Sequence, residues 1–97
     1  MPFKFTGDIE KRAELAKAMN DMGFMYDNGL GVAKDPAQAA SWFQKAADAG
    51  NVLAAANLAG MYLDGRGVPR DEAKALELHR QAARGGSSFS QEFLRKR

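Results

Sequence analysis

The stretch Tyr26-Asp27-Asn28-Gly29-Leu30-Gly31-Val32-Ala33-Lys34-Asp35 occurs again as Tyr62-Leu63-Asp64-Gly65-Arg66-Gly67-Val68-Pro69-Arg70-Asp71. Each residue of the first copy lies 36 positions before its counterpart in the second. A fixed period of about 20 to 50 residues is typical of solenoids, in which stacked units bury each other's apolar faces. The sequence therefore predicts a repeat protein, whose function depends on the surface that it presents.

The composition is that of an ordinary globular domain and favours no special class of partner. The chain has 97 residues, of which 45% are hydrophobic and 27% are charged, and its net charge is only +2. This small excess does not favour binding to nucleic acid or to a membrane surface. The chain has no cysteine, so a disulfide framework and a thiolate metal site are excluded. We expect a cytoplasmic protein, or a periplasmic or secreted one if a signal peptide has been removed.

The first helix is predicted over residues 9–27. Residues 1–7 suggest an irregular lead-in whose Phe3 and Phe5 pack over the open end of the first unit, and Asp8 suggests an N-cap. Apolar residues then recur at helical spacing, which predicts one buried face. This face consists of Leu15, Ala18, Met19, Met22, Met25 and Tyr26.

Three more helices are predicted from their start and stop signals. Asp35 and Pro36 begin the second, with Gln38 at the capping-box position, and Asn51 and Asp71 begin the third and fourth. Glycines follow the predicted helix ends, where they can adopt the left-handed conformation. They are Gly29, Gly50, Gly65, Gly85 and Gly86. Ser87 and Ser88 then start a short segment that we predict to be a capping helix.

The repeated pattern resembles the Sel-one-like repeat (SLR) family, which is related to the tetratricopeptide repeats. The first unit carries the residues of this resemblance at Gly23, Tyr26, Gly29, Gly31, Val32, Asp35, Ala39, Trp42, Lys45, Ala46, Ala47 and Gly50. The second carries them at Ala54, Leu58, Ala59, Tyr62, Gly65, Gly67, Val68, Asp71, Ala82, Ala83 and Gly86. The resemblance implies an all-α solenoid with an N-terminal cap at 1–14, repeats at 15–50 and 51–86, and a C-terminal capping helix at 87–97.

The resemblance also implies a non-catalytic adaptor or scaffold that binds a protein or peptide on a concave face lined by the first helix of each pair. The tetratricopeptide groove positions correspond to Lys17, Asn20, Phe24, Asp27, Asn28, Leu53, Ala56, Gly60, Leu63 and Asp64. Phe24 and Leu63 are candidate apolar anchors at this face, since both lie off the repeated core positions. Packing against a neighbouring helix is the alternative for both residues.

Other functions find less support in the residues. The Gly29 to Gly31 and Gly65 to Gly67 segments resemble phosphate-binding loops, but neither precedes Lys-Ser/Thr, so structural turns are favoured. His79 is the only histidine and occupies a packing position, and no nucleophile with a base is evident for a hydrolase. We predict no metal and no cofactor. A structural alternative is end-to-end self-association through the aromatic residues Phe3, Phe5, Phe89 and Phe93.

Two clusters have ordinary interpretations. Met19, Met22 and Met25 form a stripe that suggests either an adaptable binding surface or part of the core, and the core is favoured. The cations near the C-terminus are interpreted as a solvated helix end. They are Arg80, Arg84, Arg95, Lys96 and Arg97.

Overall fold

A computed structural model describes the backbone of residues 3–97 and the side chains of residues 8–97. Five helices occur in this part of the chain, and no strand does. They are α1 (Phe3–Asn28), α2 (Pro36–Asp48), α3 (Val52–Asp64), α4 (Glu72–Arg84) and α5 (Ser88–Arg95). Each helix packs against the next one along the chain. The predicted all-α solenoid, with two helix pairs and a capping helix, is confirmed.

The helix starts follow from local side-chain caps. The N-cap oxygens of the last four helices each accept a backbone amide three residues on. The pairs are Asp35 with Gln38, Asn51 with Ala54, Asp71 with Lys74 and Ser87 with Ser90. The predicted capping box at Asp35 forms only in part, because the Asp35 amide donates to the Tyr26 carbonyl at 2.9 Å. This bond ties the start of α2 to the end of α1.

The two glycine segments fold in the same way. Gly29 and Gly65 are left-handed, with φ of +70° and +67°. The equivalent bonds of the two turns all measure 2.9 Å. They are Leu30 N–H to Met25 O and Arg66 N–H to Met61 O, and Asp35 N–H to Tyr26 O and Asp71 N–H to Tyr62 O. The repeated sequence therefore specifies a repeated turn that reverses the chain within each helix pair.

Small residues dominate the core, so the helices approach closely. The core consists of Ala39, Ala40, Phe43, Ala46, Ala47, Ala54, Ala55, Leu58, Ala59, Met61, Ala75, Leu78 and Ala82. Gly23 lies so close to Phe43 that a Cβ built on it would be 2.6 Å from Cδ1 of the ring. The aromatic ring of α2 thus fits against bare backbone of α1.

The first helix is longer than the sequence predicts. α1 already begins at Phe3, so the expectation of an irregular lead-in over residues 3–7 was wrong, and Asp8 lies inside the helix. Neither Gly7 nor Asp8 forbids helix, because a glycine in a helix interior costs only about 1 kcal/mol relative to alanine. The packing predicted for the side chains of Phe3 and Phe5 lies outside the described residues.

The predicted apolar face of α1 is only partly buried. Leu15 is 59% exposed, Ala18 is exposed, and Met22 and Met25 are half-buried. From Asp8 onwards, the buried residues of α1 are Ala16, Asn20 and Gly23. The core interpretation of the methionine stripe is therefore wrong for Met22 and Met25. The physical reason is that fewer helices cover α1. α3 packs extensively against both α2 and α4, whereas the extensive contacts of α1 are with α2.

Candidate functional site

The exposed sides of α1, α3 and α5 each carry a large apolar residue on the same side of the repeat. Lys17, Leu53 and Phe89 are spaced 36 residues apart, and Phe24 lies two helical turns after Lys17. Because residues seven apart share one side of a helix, these four residues mark the same side of successive units. Phe24 is 52% exposed, Leu53 65% and Phe89 68%. We call this surface the first-helix face.

Polar groups surround these apolar residues. Lys17 forms an exposed ion pair with Asp21, with 3.4 Å between Nζ and Oδ2. The Asn28 amide donates to the Phe24 carbonyl at 2.9 Å, so that it covers one carbonyl at the end of α1. Asp64 is exposed at the end of α3. Apolar residues within a polar rim are the usual composition of a protein-binding patch.

The face also has unfilled space at one position. Gly60 occupies the place in α3 that Phe24 occupies in α1, and a Cβ built on Gly60 would meet no atom within 4 Å. The second unit therefore has no side chain two helical turns after Leu53, where the first unit presents an aromatic ring.

The predicted binding residues divide into three groups by exposure. Those open to solvent are Lys17, Phe24, Asn28, Leu53 and Asp64. Those half-buried are Asp27, Ala56, Gly60 and Leu63, and Asn20 is buried. Their role in binding stays a prediction.

Two of these residues join the repeats. The Asn57 amide donates to Asn20 Oδ1 at 3.3 Å, and Arg66 forms an ion pair with Asp27. Both contacts connect residues of α1 with residues of the second repeat. They fix the spacing of the first-helix face, since they hold α1 beside α3.

Leu63 is not an exposed anchor. It packs against the core cluster, so the alternative interpretation as a packing residue is correct for it, whereas Phe24 is exposed. Phe89 is the apolar residue of this face that the prediction omitted. Its spacing of 36 residues from Leu53 was the signal that could have identified it.

A buried serine–histidine pair lies between α4 and α5. His79 Nδ1 is 2.9 Å from Ser90 Oγ, and the two residues are 1% and 0% exposed. This is a nucleophile–base geometry that the sequence did not reveal, but a substrate has no access to it. No ion pair among the described residues involves His79, so an orienting carboxylate is also lacking there. The arrangement suits a structural joint between two helices.

The glycine segments and the C-terminal cations that the sequence singled out have structural roles. Gly31 and Gly67 are left-handed residues of the two turns, with φ of +75° and +77°. At the C-terminal end, Arg95 and Lys96 pair with Glu92, and Arg97 pairs with Glu72. Within residues 8–97, no group of three or more His, Cys, Asp or Glu side chains could hold a metal ion. None of the described helices is long and apolar enough to cross a membrane.

One edge of the molecule exposes positions that are buried elsewhere in it. Ala54, Leu58, Met61 and Leu78 of the second repeat are 0% to 3% exposed. Their counterparts in the first repeat are exposed or half-buried. They are Ala18, Met22, Met25 and Trp42, and we call them the N-terminal edge. Repeat one covers this side of repeat two, as the bond from Gln81 Nε2 to the Ala47 carbonyl at 3.2 Å illustrates.

A family model described as the Sel1 repeat matches the chain twice, at residues 16–51 and 52–87. The chain belongs to the Sel1 repeat family. Each matched segment begins one residue later than the repeats predicted from the sequence, and each contains one helix pair with its left-handed glycine turn. Sel1 repeat proteins are generally protein–protein interaction modules without catalytic activity.

Solved structures of Sel1 repeat proteins have the same fold. A Sel1 repeat protein from Oxalobacter formigenes is 39% identical with a TM-score of 0.79, over 81% of this chain and 32% of that one. The protective antigen c5321 of uropathogenic Escherichia coli is 38% identical with a TM-score of 0.76, over 78% and 16%. Cysteine-rich protein B of Helicobacter pylori is 26% identical with a TM-score of 0.79, over 96% and 71%.

The chain thus spans only a third or less of the first two Sel1 proteins. Comparison with curated proteins gives no match. Membership of the Sel1 family shows the architecture, and Sel1 repeats generally mediate protein–protein interactions. The partner and the surface that binds it have to be inferred from the side chains of this chain.

Proposed function

We propose that this Sel1 repeat chain is a non-catalytic adaptor or scaffold that binds a peptide or helix of a partner protein on its first-helix face. The observation that carries the proposal is that Phe24, Leu53 and Phe89 are exposed on the same side of α1, α3 and α5, the first helices of successive units. Exposed apolar residues grouped on one surface are typical of interaction sites. A cytoplasmic location stays a prediction.

The partner that fits this surface presents apolar side chains in a row. Phe24 lies about 10 Å further along its helix than the level of Leu53 and Phe89, so a segment that crosses α1, α3 and α5 obliquely meets one apolar residue on each. A helix or strand with apolar residues along one side has this pattern. Lys17, with Asp21 beside it, is suited to polar groups at the edge of that segment.

Serine substitutions at the centre of the face test this proposal. In Phe24→Ser and Leu53→Ser, we expect the Kd for a partner isolated by affinity capture to rise about tenfold or more, since an apolar anchor contributes over 1 kcal/mol. The melting temperature changes little, because both side chains are more than half exposed. Isothermal titration calorimetry and thermal melting measure the two quantities.

Matched controls lie elsewhere on the surface. Leu15 and Leu30 are 59% and 49% exposed, so Leu15→Ser and Leu30→Ser remove exposed apolar groups outside the first-helix face. These variants are expected to bind like the unchanged chain. Equal loss of affinity in the face variants and the controls, or full affinity in Phe24→Ser and Leu53→Ser, would contradict the assignment.

A second candidate function is self-association, and the N-terminal edge supports it. In the second repeat, the four apolar residues equivalent to this edge are buried. A second copy of the chain that covers the edge would remove a similar apolar surface from water. This differs from the predicted stacking through Phe93, which is engaged with His79 inside the molecule. Phe93 is thus less suited to the role, whereas Phe89 is exposed.

The oligomeric state decides this second candidate. We expect light scattering to show a dimer that forms with rising concentration and is lost in Met22→Glu, because a charge would be buried at the contact. Phe24→Glu is the control, since Phe24 lies on the first-helix face. A mass that stays monomeric at every concentration would remove the candidate.

A further inference from the structure

The joint between α4 and α5 differs in chemistry from the equivalent joint one repeat earlier. His79 and Ser90 occupy the positions that Phe43 and Ala54 occupy in the preceding unit. All four residues are buried, at 0% or 1% exposure. An apolar pair in the interior of the solenoid is therefore replaced, at its C-terminal end, by a pair that contains a titratable group.

The histidine is the centre of this joint. Its Nδ1 lies 2.9 Å from Ser90 Oγ, and its ring stacks on that of Phe93 with 4.1 Å between centroids and 23° between planes. Phe89 is also close, at 5.9 Å between centroids. Three residues of α5 thus meet one imidazole of α4.

We propose that α5 is a proton-controlled part of the first-helix face, which docks on α4 through neutral His79 and is released when the imidazole takes up a proton. Phe89 leaves the face together with α5. The effect on partner binding rests on the proposed function of that face. The release itself depends only on the joint.

The charges around the joint do not favour an imidazolium. On α5 and the residues that follow it, Glu92 pairs with Arg95 and Lys96, and Arg97 pairs with Glu72 of α4. The other charged or titratable groups on α4 and on α3, which packs against α4, are Lys74, Glu77, Arg80, Arg84, Tyr62 and Asp64. None of these groups pairs with His79 among the described ion pairs, and Arg97 adds positive charge over the Phe93 ring, at 5.7 Å from its centroid.

Burial lowers the pKa of His79 below its ordinary value of 6.5, because the charged ring loses its hydration. The docked state therefore binds a proton less readily than the released state. Its stability is present above pH 6.5 and is lost as the pH falls from that value through the lowered pKa.

α5 is a short helix that packs against α4. It has 8 residues, fewer than the roughly 12 to 15 that an isolated helix needs for stability in water, so release also means unfolding of its backbone. Beyond the histidine joint, the Gln91 side-chain amide donates to the Ala83 carbonyl at 3.0 Å, and the Ser87 backbone amide donates to the Ala82 carbonyl at 3.0 Å. Arg97, just after α5, also pairs with Glu72 of α4. The bond of His79 to Ser90 and its stacking on Phe93 are the parts of this docking that change when the imidazole takes up a proton.

NMR on the unmodified chain without any partner tests the release. We expect His79 to titrate below 6.5 and, between about pH 8 and about pH 5, the exchange of α5 amides corrected for intrinsic rates to rise about tenfold per unit of pKa shift. The amides of α3 serve as the internal reference, since their joint with α2 contains Phe43 and Ala54. Their corrected exchange is expected to change much less.

The double substitution His79→Phe with Ser90→Ala is the matched variant, because it copies the Phe43 and Ala54 pair into the last joint. We expect α5 in this variant to stay docked at both pH values. An ordinary His79 titration with unchanged α5 exchange in the unmodified chain would overturn the proposal, and so would equal acid-induced exchange in α5 and α3. Because no partner is present, these outcomes do not depend on the binding function. If α5 is released at low pH and the affinity for the partner is unchanged there, only the link between release and binding is contradicted.

Discussion

Replacing Gly67 by alanine is expected to lower the free energy of unfolding by about 2 to 5 kcal/mol, whereas the same change at Gly31 costs about 1 to 2 kcal/mol. Both glycines have left-handed backbone, so alanine is strained at each. A Cβ on Gly67 would also lie 2.3 Å from the backbone carbonyl oxygen of Pro36. A Cβ on Gly31 would meet only the end of Met25, at 3.8 Å.

Urea unfolding followed by the fluorescence of the single tryptophan, Trp42, measures these differences. Gly60→Ala is the control, since Gly60 is helical and a Cβ there has open space. It is expected to be neutral or to stabilise the chain by up to about 1 kcal/mol. Equal losses of stability in Gly67→Ala and Gly31→Ala would mean that Gly67 does not contact the Pro36 carbonyl closely.

The sequence predicted best those features that are specified within a few residues. Asp35 and Asp71 cap their helices, and Gly29 and Gly65 end theirs, because each acts on backbone groups up to four positions away. Two copies of the same signals made the repeat unambiguous. The same reasoning failed at Asp8, where a local start signal lies inside a helix that extends further towards the N-terminus.

Burial was predicted less well, because it depends on which neighbour covers a side chain. Met22 and Leu58 have equivalent positions in the repeat, but only Leu58 has a unit on each side. For Leu63 the sequence left two alternatives open, an exposed anchor and a packing residue, and Leu63 packs against the core. Such errors occur at the ends of a solenoid and where adjacent repeats touch.

Contacts between residues far apart in the sequence could not be predicted. His79 was correctly placed as a packing residue, yet its bond to Ser90 and its stacking on Phe93 depend on how α5 docks. The two repeats also differ in matched pairs. Gly23 faces the large ring of Phe43, whereas their counterparts are Ala59 and the smaller ring of His79. The 36-residue period shows which positions are equivalent. It does not show that a larger residue at one position is matched by a smaller ring at the other.

A large loss of stability is expected from truncating a side chain at the centre of the solenoid. Leu58→Ala should reduce the free energy of unfolding by about 2 to 5 kcal/mol, because it leaves a cavity where Leu58 is 1% exposed. Met22→Ala removes a side chain of similar size at the equivalent position of α1, where it is half-buried. Its expected cost is about 1 kcal/mol or less, since less apolar surface returns to water.

Urea unfolding of both variants, with the change in midpoint compared at constant slope, measures the difference. A domain of this size has a total stability on the order of 5 to 15 kcal/mol, so Leu58→Ala alone consumes a large part of it. The comparison holds the repeat position constant and changes only whether a preceding unit covers the helix. If Met22→Ala were as damaging as Leu58→Ala, the N-terminal edge would be covered in solution, and a concentration-dependent midpoint for the unchanged chain would then identify a second copy as the cover.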